Sequence, residues 1–302
     1  VKTVDMYWNP TKPPYDILVT VTSNDPTKPN LGTVAVGATT GEGMLSVVLY
    51  RGVQNGRTIT VSRTDYQSDI STTFTVKPGE TSKLLVLVLN EDVAPGTGTG
   101  RSGLVEDWTA GSYYPVTVKA VDFSWNPTGE TIVVDKIYTN DNYSYPVTNP
   151  INNVTLTTGT STFMMVLVSR GTRNITAEDA EYIDDTSSDI TVVPDDPIKL
   201  QVLVPGEVGV EGHPNGKLDV LPSTRTAGVA FPVTVNSVDQ NWNISYSTRT
   251  IKLTTNDSNA PLISNQQLVN GTTVFMVTLI TANSPWIKAE DTAPTDKLLE
   301  NQ

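Results

Sequence analysis

"VDFSWN" (121–126) is the stretch on which the reading of this chain turns. A Trp beside an Asn, just after a hydrophobic run that ends in Asp, looks at first like a chemical site. The same pattern stands at 4–9 as "VDMYWN" and at 238–243 as "VDQNWN". Asp5, Asp122 and Asp239 are 117 residues apart, and so are Trp8, Trp125 and Trp242. A motif that returns at a fixed period belongs first to the architecture.

Other landmarks keep the period. "TAGSYYPVTVKAVDFSWN" (109–126) lies over "TAGVAFPVTVNSVDQNWN" (226–243), again 117 apart. "SNDP" (23–26), "TNDN" (139–142) and "TNDS" (255–258) coincide with a shift of 116, and "SKLLVLVLNED" (82–92) matches "IKLQVLVPGEV" (198–208). Inside each copy, apolar residues alternate with polar ones, as Phe231, Val233 and Val235 do with Pro232, Thr234 and Asn236. That is the period of a half-buried strand, and "NG", "TG", "NP" and "PG" supply the turns between runs.

Some seven short strands in each roughly 100–120-residue copy predict an all-β chain of two-sheet, immunoglobulin-like β-sandwiches. In the second copy the strands are expected at 83–89 (A), 114–121 (B), 131–138 (C), 154–168 (D, then E), 174–177 (F) and 189–193 (G). The Gly/Pro-rich arms at 90–111 and 205–228 read as long surface loops.

Composition narrows the function. A net charge of −12 with no Lys/Arg cluster disfavours nucleic acid. Charged residues are 17%, against about 25% in an average domain, and Thr, Val, Asn, Ser and Gly are abundant, the palette of exposed β-structure. There is no Cys, which removes disulfides, thiolate metal sites and cysteine nucleophiles and weighs towards an extracellular home. No apolar run reaches the roughly 18–20 residues that cross a bilayer. An export signal is expected to be removed or to lie outside this chain.

The blocks "KLQVLVPGE", "TAGVAFPVTVNSVDQNWN", "LVNGTTVFMVTLIT" and "WIKAED" resemble the tandem bacterial immunoglobulin-like repeats of large secreted and cell-surface proteins, a group that includes invasin/intimin-type stalks. The resemblance covers essentially the whole chain. It implies a spacing, stalk, filament or surface-layer role, sometimes adhesion, and no catalysis.

The expected domains are 1–76, lacking strand A, 77–193, complete, and 194–302, lacking strand G. Two readings follow: a piece of a longer repeat array, or subunits that polymerise when a strand of one completes the open edge of the next. "KLLENQ" (297–302) is the only candidate tail for the second. Partners are then copies of itself or neighbouring repeats. The short, Pro-containing connections "KPGETS" (77–82) and "PDDP" (194–197) predict a fairly rigid rod.

For the Asp and Trp-Asn set, the structural reading has Trp capping the core where strand B turns into C, with Asp and Asn holding the turn. The functional reading is calcium at the junctions, since hard cations need several oxygen ligands. Its candidate ligands are Asn24, Asp25, Asp122, Glu178 and Asp179 at one junction and Asn140, Asp141, Asp239, Glu290 and Asp291 at the other. Copy 1 has Arg63 where copy 2 has Asp179.

Catalysis has little support. His213 is the only His and sits in "EGHPNG". Asp184-Asp185 and Asp195-Asp196 are neighbours in turns, whereas glycosidase carboxylates face each other across a cleft. "GTGTGRSG" (96–103) lacks the Lys-Ser/Thr and helix of a phosphate loop.

Asn-X-Ser/Thr triplets begin at Asn142, Asn153, Asn174, Asn243, Asn256 and Asn270, and a Lys-to-Asn isopeptide bond would stiffen a stalk. The alternatives to a structural role are accessory repeats of a larger secreted enzyme, and an adhesin or carbohydrate-binding module with a glycan partner. The latter requires an exposed aromatic platform, with Tyr7, Trp108, Tyr143, Tyr145, Tyr182 and Tyr246 as candidates.

Overall fold

The computed structural model describes residues 1–302 except 145–149, 219, 294, 296, 297 and 299–302, and only the backbone of 54 and 55. All regular structure among the described residues is β. Tyr145 and most of "KLLENQ" lie outside them.

The first set of strands is β1 (Ile17–Ser23), β2 (Asn30–Val36), β3 (Val53–Arg57), β4 (Ile59–Arg63), β5 (Tyr66–Ile70) and β6 (Phe74–Val76). A sheet β2-β1-β4-β5 carries a core of Ile17, Val19, Val21, Val34 and Val36, and β3 pairs separately with β6. Residues 44–50 run alongside but belong to no sheet. Leu45 packs on the core while Met44 and Val48 face solvent at 94% and 61% exposure.

The second set is β7 (Lys83–Leu87), β8 (Glu91–Val93), β9 (Arg101–Gly103), β10 (Trp108–Thr109), β11 (Tyr113–Val121), β12 (Ile132–Thr139), β13 (Ile151–Leu156), β14 (Thr160–Val166), β15 (Gly171–Arg173), β16 (Ile175–Glu178), β17 (Asp185–Thr186) and β18 (Ile190–Val193). One sheet runs β14-β11-β7, the other β13-β12-β16-β17. Alternation in β11 sends Val116, Val118 and Ala120 inward. There they meet Val134 and Ile137 of β12, Ala177 of β16, and Ile190 of β18. Each buried Val or Ile among them contributes on the order of 1.5–3 kcal/mol, so the sandwich is held by a two-sided core.

The expected F and G strands stand as β16 and β18, and each is accompanied by a second short strand, β15 and β17. Gly171 to Arg173 face Val192 to Ile190, and Thr176 and Ala177 face Thr186 and Asp185. Asn174 and residues 187–189 fall between the two ladders, so one bent hairpin spans both. The arm also differs from a bare loop. β8 and β9 form a hairpin in it, and β10 pairs in parallel with β18. Glycine and proline masked these strands in the sequence.

The third set is β19 (Lys199–Leu203), β20 (Phe231–Val238), β21 (Thr250–Thr255), β22 (Gln266–Gln267), β23 (Thr272–Val277) and β24 (Ile287–Asp291). Sheets β19-β20-β23 and β22-β21-β24 repeat the arrangement around Leu200, Val233, Val235, Ile251 and Phe275. Leu298, beyond β24, is buried in the same core.

Candidate functional site

The repeated motif forms a three-residue hairpin loop. Asp122 N–H donates to Asn126 C=O, and Trp125 N–H donates to Asp122 C=O. The Asp122 carboxylate accepts from Ser124 N and Asn126 N at 2.8 and 2.9 Å. Asp239 repeats this with Asn241 and Asn243, and Asp5 with Tyr7 and Asn9. Trp8, Trp125 and Trp242 occupy the left-handed position of the loop, with φ of 66°, 69° and 66°. A bulky side chain is disfavoured there, and Gly is the usual choice.

Contacts offset that strain in the second and third copies. Gly100 and Gly216, themselves left-handed, lay bare backbone against the Trp125 and Trp242 rings, where a Cβ would collide with the indole. Lys83 and Lys199 place their ammonium groups 4.0 and 3.7 Å from the ring centroids. Trp125 therefore does not cap the main core. It joins a small separate cluster with Leu85, Leu87, Val93 and Val121 under the arm. Trp8 is 70% exposed.

The Asn of the motif reaches the preceding core. Asn126 Nδ2 donates to Tyr50 C=O at 2.8 Å, and Gly52 N–H donates to Asn126 Oδ1 at 2.7 Å. Asn243 repeats both contacts with Val168 C=O and Arg170 N–H, at 2.8 and 2.7 Å. Each Asn is buried and is steadied by its own Asp. The second oxygen of that Asp holds the linker: Asp122 accepts from Gly79 N, and Asp239 from Asp195 N.

On the far side of the same backbone stands the Asp of the "SNDP" motif. Asp25 accepts from Tyr50 N and Arg51 N, and Asp141 from Val168 N and Ser169 N. Asp257 makes the equivalent contacts to Ile280 N and Thr281 N, at 2.7 and 2.9 Å. Burial pushes the Asp25 carboxyl up, but donors from Thr27 and Arg51 and the Arg57 charge outweigh it and hold it below 3.8. Asp257 is lowered to about 2, chiefly by the Thr281 N–H and hydroxyl.

The candidate calcium ligands thus divide. Asp25 and Asp122, like Asp141 and Asp239, are brought to one junction, with backbone N–H groups aimed at their oxygens. Glu178 instead pairs with Lys136 at 2.8 Å, a contact that lowers the Glu178 pKa and raises that of Lys136. Asp179 accepts from Asp135 N and Glu181 N. Glu290 lies beside Lys288 and Lys252, while Asp291 accepts from Ala293 N and Leu298 N. Asn24 binds Gly56 and Thr58, and Asn140 binds Asn174. Among the described residues no group of three or more His, Cys, Asp or Glu is disposed to hold a metal.

The aromatic candidates are scattered. Trp108 is fully buried, stacked on Tyr114 at 4.5 Å, so it is a core residue and not a platform. Tyr7 and Tyr246 are exposed, and Tyr143 meets the edge of His213 across the second junction. Asn243 is wholly buried, which closes that triplet to glycosylation in the folded chain.

Sequence reasoning did not single out the arm residues. Glu91 and Glu207, 116 apart, accept from Val88 N and Val204 N, and Glu211 pairs with Arg170 across the second junction at 2.8 Å. Their shared offset was the available signal.

No family model matches the sequence, and no curated protein matches it. Among solved structures, the chain is similar to the Escherichia coli adhesin FdeC, at 12% identity over 90% of each chain with a TM-score of 0.31. It is also similar to a tetra-tandem repeat in the extending region of a large adhesion protein, at 16% identity over 96% of this chain and 66% of that one, with a TM-score of 0.25. For the trypsin-activated alpha-2-macroglobulin of Escherichia coli the identity is 12% and the TM-score 0.32; the match takes in 96% of this chain and spans 21% of that one. At these identities the fold rests on the sheets and registers above.

Proposed function

We propose that this is a non-enzymatic, extracellular structural segment, with immunoglobulin-like domains at 1–76, 77–193 and 194–302 forming a stiff rod within a surface stalk, filament or layer. The observation that carries this reading is the junction built twice alike. An Asp clamps a backbone turn of one domain, an Asn of the next domain bonds that same turn, and a second Asp ties the Asn to the linker. Spacing is what such a joint serves, because it removes the freedom that short linkers alone leave.

Asn126→Ala together with Asn243→Ala leaves a carbonyl and an N–H without their partner at each junction, a loss of about 1–3 kcal/mol per junction. Small-angle scattering should then show a shorter, more variable particle with the domains still folded. An unchanged scattering profile would count against the rod. The same measurement over a concentration series tests assembly between chains, for which the unladdered segment 44–50, with Met44 and Val48 outward, offers an edge for strand addition.

We assign the junction carboxylates to backbone N–H groups and not to calcium. A cation would have to displace donors already seated on Asp122, Asp141 and Asp239. The expected result is a melting midpoint that does not move with added calcium or chelator. A calcium-dependent rise would restore the cation reading.

A further inference from the structure

We propose that the third domain carries a binding pocket for a single neutral sugar unit, opened where the second domain is packed solid. The two domains align position by position beneath the arm, with Leu85 at Gln201, Val93 at Gly209, Lys119 at Asn236, and Trp125 at Trp242. In the second domain Leu85, Leu87, Val93, Val121 and Trp125 close into an apolar cluster. In the third, Leu gives way to Gln and Val to Gly. A cavity of about 440 Å³ opens to solvent there, lined by Gln201, Leu203, Gly209, Glu211, Asn236 and Trp242 among others. That volume lies within the ~300–1,000 Å³ of small-ligand sites.

The lining is organised. Thr272 Oγ1 donates to Asn236 Oδ1 at 3.0 Å, Asn236 Nδ2 to Gln201 Oε1 at 2.9 Å, and Gln201 Nε2 to Gly216 C=O at 2.7 Å. Gln201 and Asn236 are only 2% and 4% exposed. The row spends one amide hydrogen of each and leaves a second, together with spare carbonyl lone pairs. Buried amides with donors and acceptors in hand suit hydroxyl groups, which do both.

Charge points the same way. Glu211 is committed to Arg170 and to Ile244 N–H, so the site offers no free charge for an ionic ligand. Lys199 and Gly216 cover the Trp242 ring, so recognition runs through the amides and not through stacking.

The test uses the full ¹⁵N-labelled chain titrated with glucose, galactose, mannose and N-acetylglucosamine, and with the methyl glycosides of each. Saturable shifts are expected at the side-chain signals of Gln201, Asn236 and Trp242, with a Kd on the order of 1 mM. Binding of methyl glycosides assigns the pocket to a glycan terminus; binding of free sugars alone assigns it to a free saccharide. Gln201→Leu with Gly209→Val copies the second domain, and should weaken binding at least tenfold while raising the melting midpoint. Gln201→Leu alone serves if the pair fails to fold. The absence of saturable shifts with every probe, or shifts that survive in the filled variant, overturns the proposal.

Discussion

Asp141→Ala should destabilise the second core by about 3 kcal/mol or more, read from urea unfolding of the full chain. Asp141 is fully buried and accepts from Val168 N, Ser169 N and Ser169 Oγ at 2.6, 2.9 and 2.7 Å, and from Tyr143 N at 3.2 Å. Alanine abandons these donors inside the protein, and each orphaned buried donor costs about 1–3 kcal/mol. Asn retains one acceptor oxygen, so Asp141→Asn should fall between. A loss below about 1 kcal/mol would show that water replaces the carboxylate and that the clamp is incidental. The acid limb can be read at the equivalent clamp of the third core. Asp257 is depressed to about 2 from 3.8, so its contribution is complete above the unfolded value and vanishes as pH falls through about 2. Unfolding of the third core at pH 7, 3 and 2 should follow that window, and Asp257→Asn should flatten it.

Trp108→Ala is expected to cost about 3–5 kcal/mol, the range for emptying a large buried aromatic site. The ring is fully buried, stacks on Tyr114 at an interplanar angle of 16°, and belongs to a short strand pinned to β18. Tyr114 is itself fixed by accepting from Thr109 N at 2.9 Å, so the loss spreads into β10. Phe provides the contrast. Among the described residues the Trp108 indole N–H has no hydrogen-bond partner, so Trp108→Phe removes an unsatisfied donor along with some volume. It should cost less than about 1.5 kcal/mol. Thermal unfolding of both variants separates the loss of packing from the loss of polarity; equal costs would place the ring's importance elsewhere.

The repeat, the strands and their alternation were legible because each is local or periodic. Val116, Val118 and Ala120 declare their facing within a few residues of chain. The junction was legible only in part: the sequence set Asp25 with Asp122 and Asp141 with Asp239, but not the Asn that bonds across. Asn126 meets Tyr50 and Asn243 meets Val168 across 76 and 75 residues of sequence, and an Asn in a turn looks the same whether or not it reaches a neighbour. The acidic residues left two readings open, because a carboxylate that gathers backbone N–H groups and one that gathers calcium are written with the same letter. Trp108 stands among Gly, Glu and Asp, the company of an exposed residue, and only the parallel pairing of β10 with β18 shows why it is buried. The pocket could be read only by setting two copies side by side, where Leu85 and Val93 become Gln201 and Gly209.

That parallel pairing has a mechanical sequel. The chain leaves the second set of strands after Val193, and its last strand, β18, is held in parallel by β10, while Lys83 at the start of β7 bridges in parallel to Ile183. A pull on the chain beyond Val193 draws β18 lengthwise along β10, which is anchored through β11. It loads their bonds side-on and together, where an antiparallel closure would surrender them one at a time, like a zip.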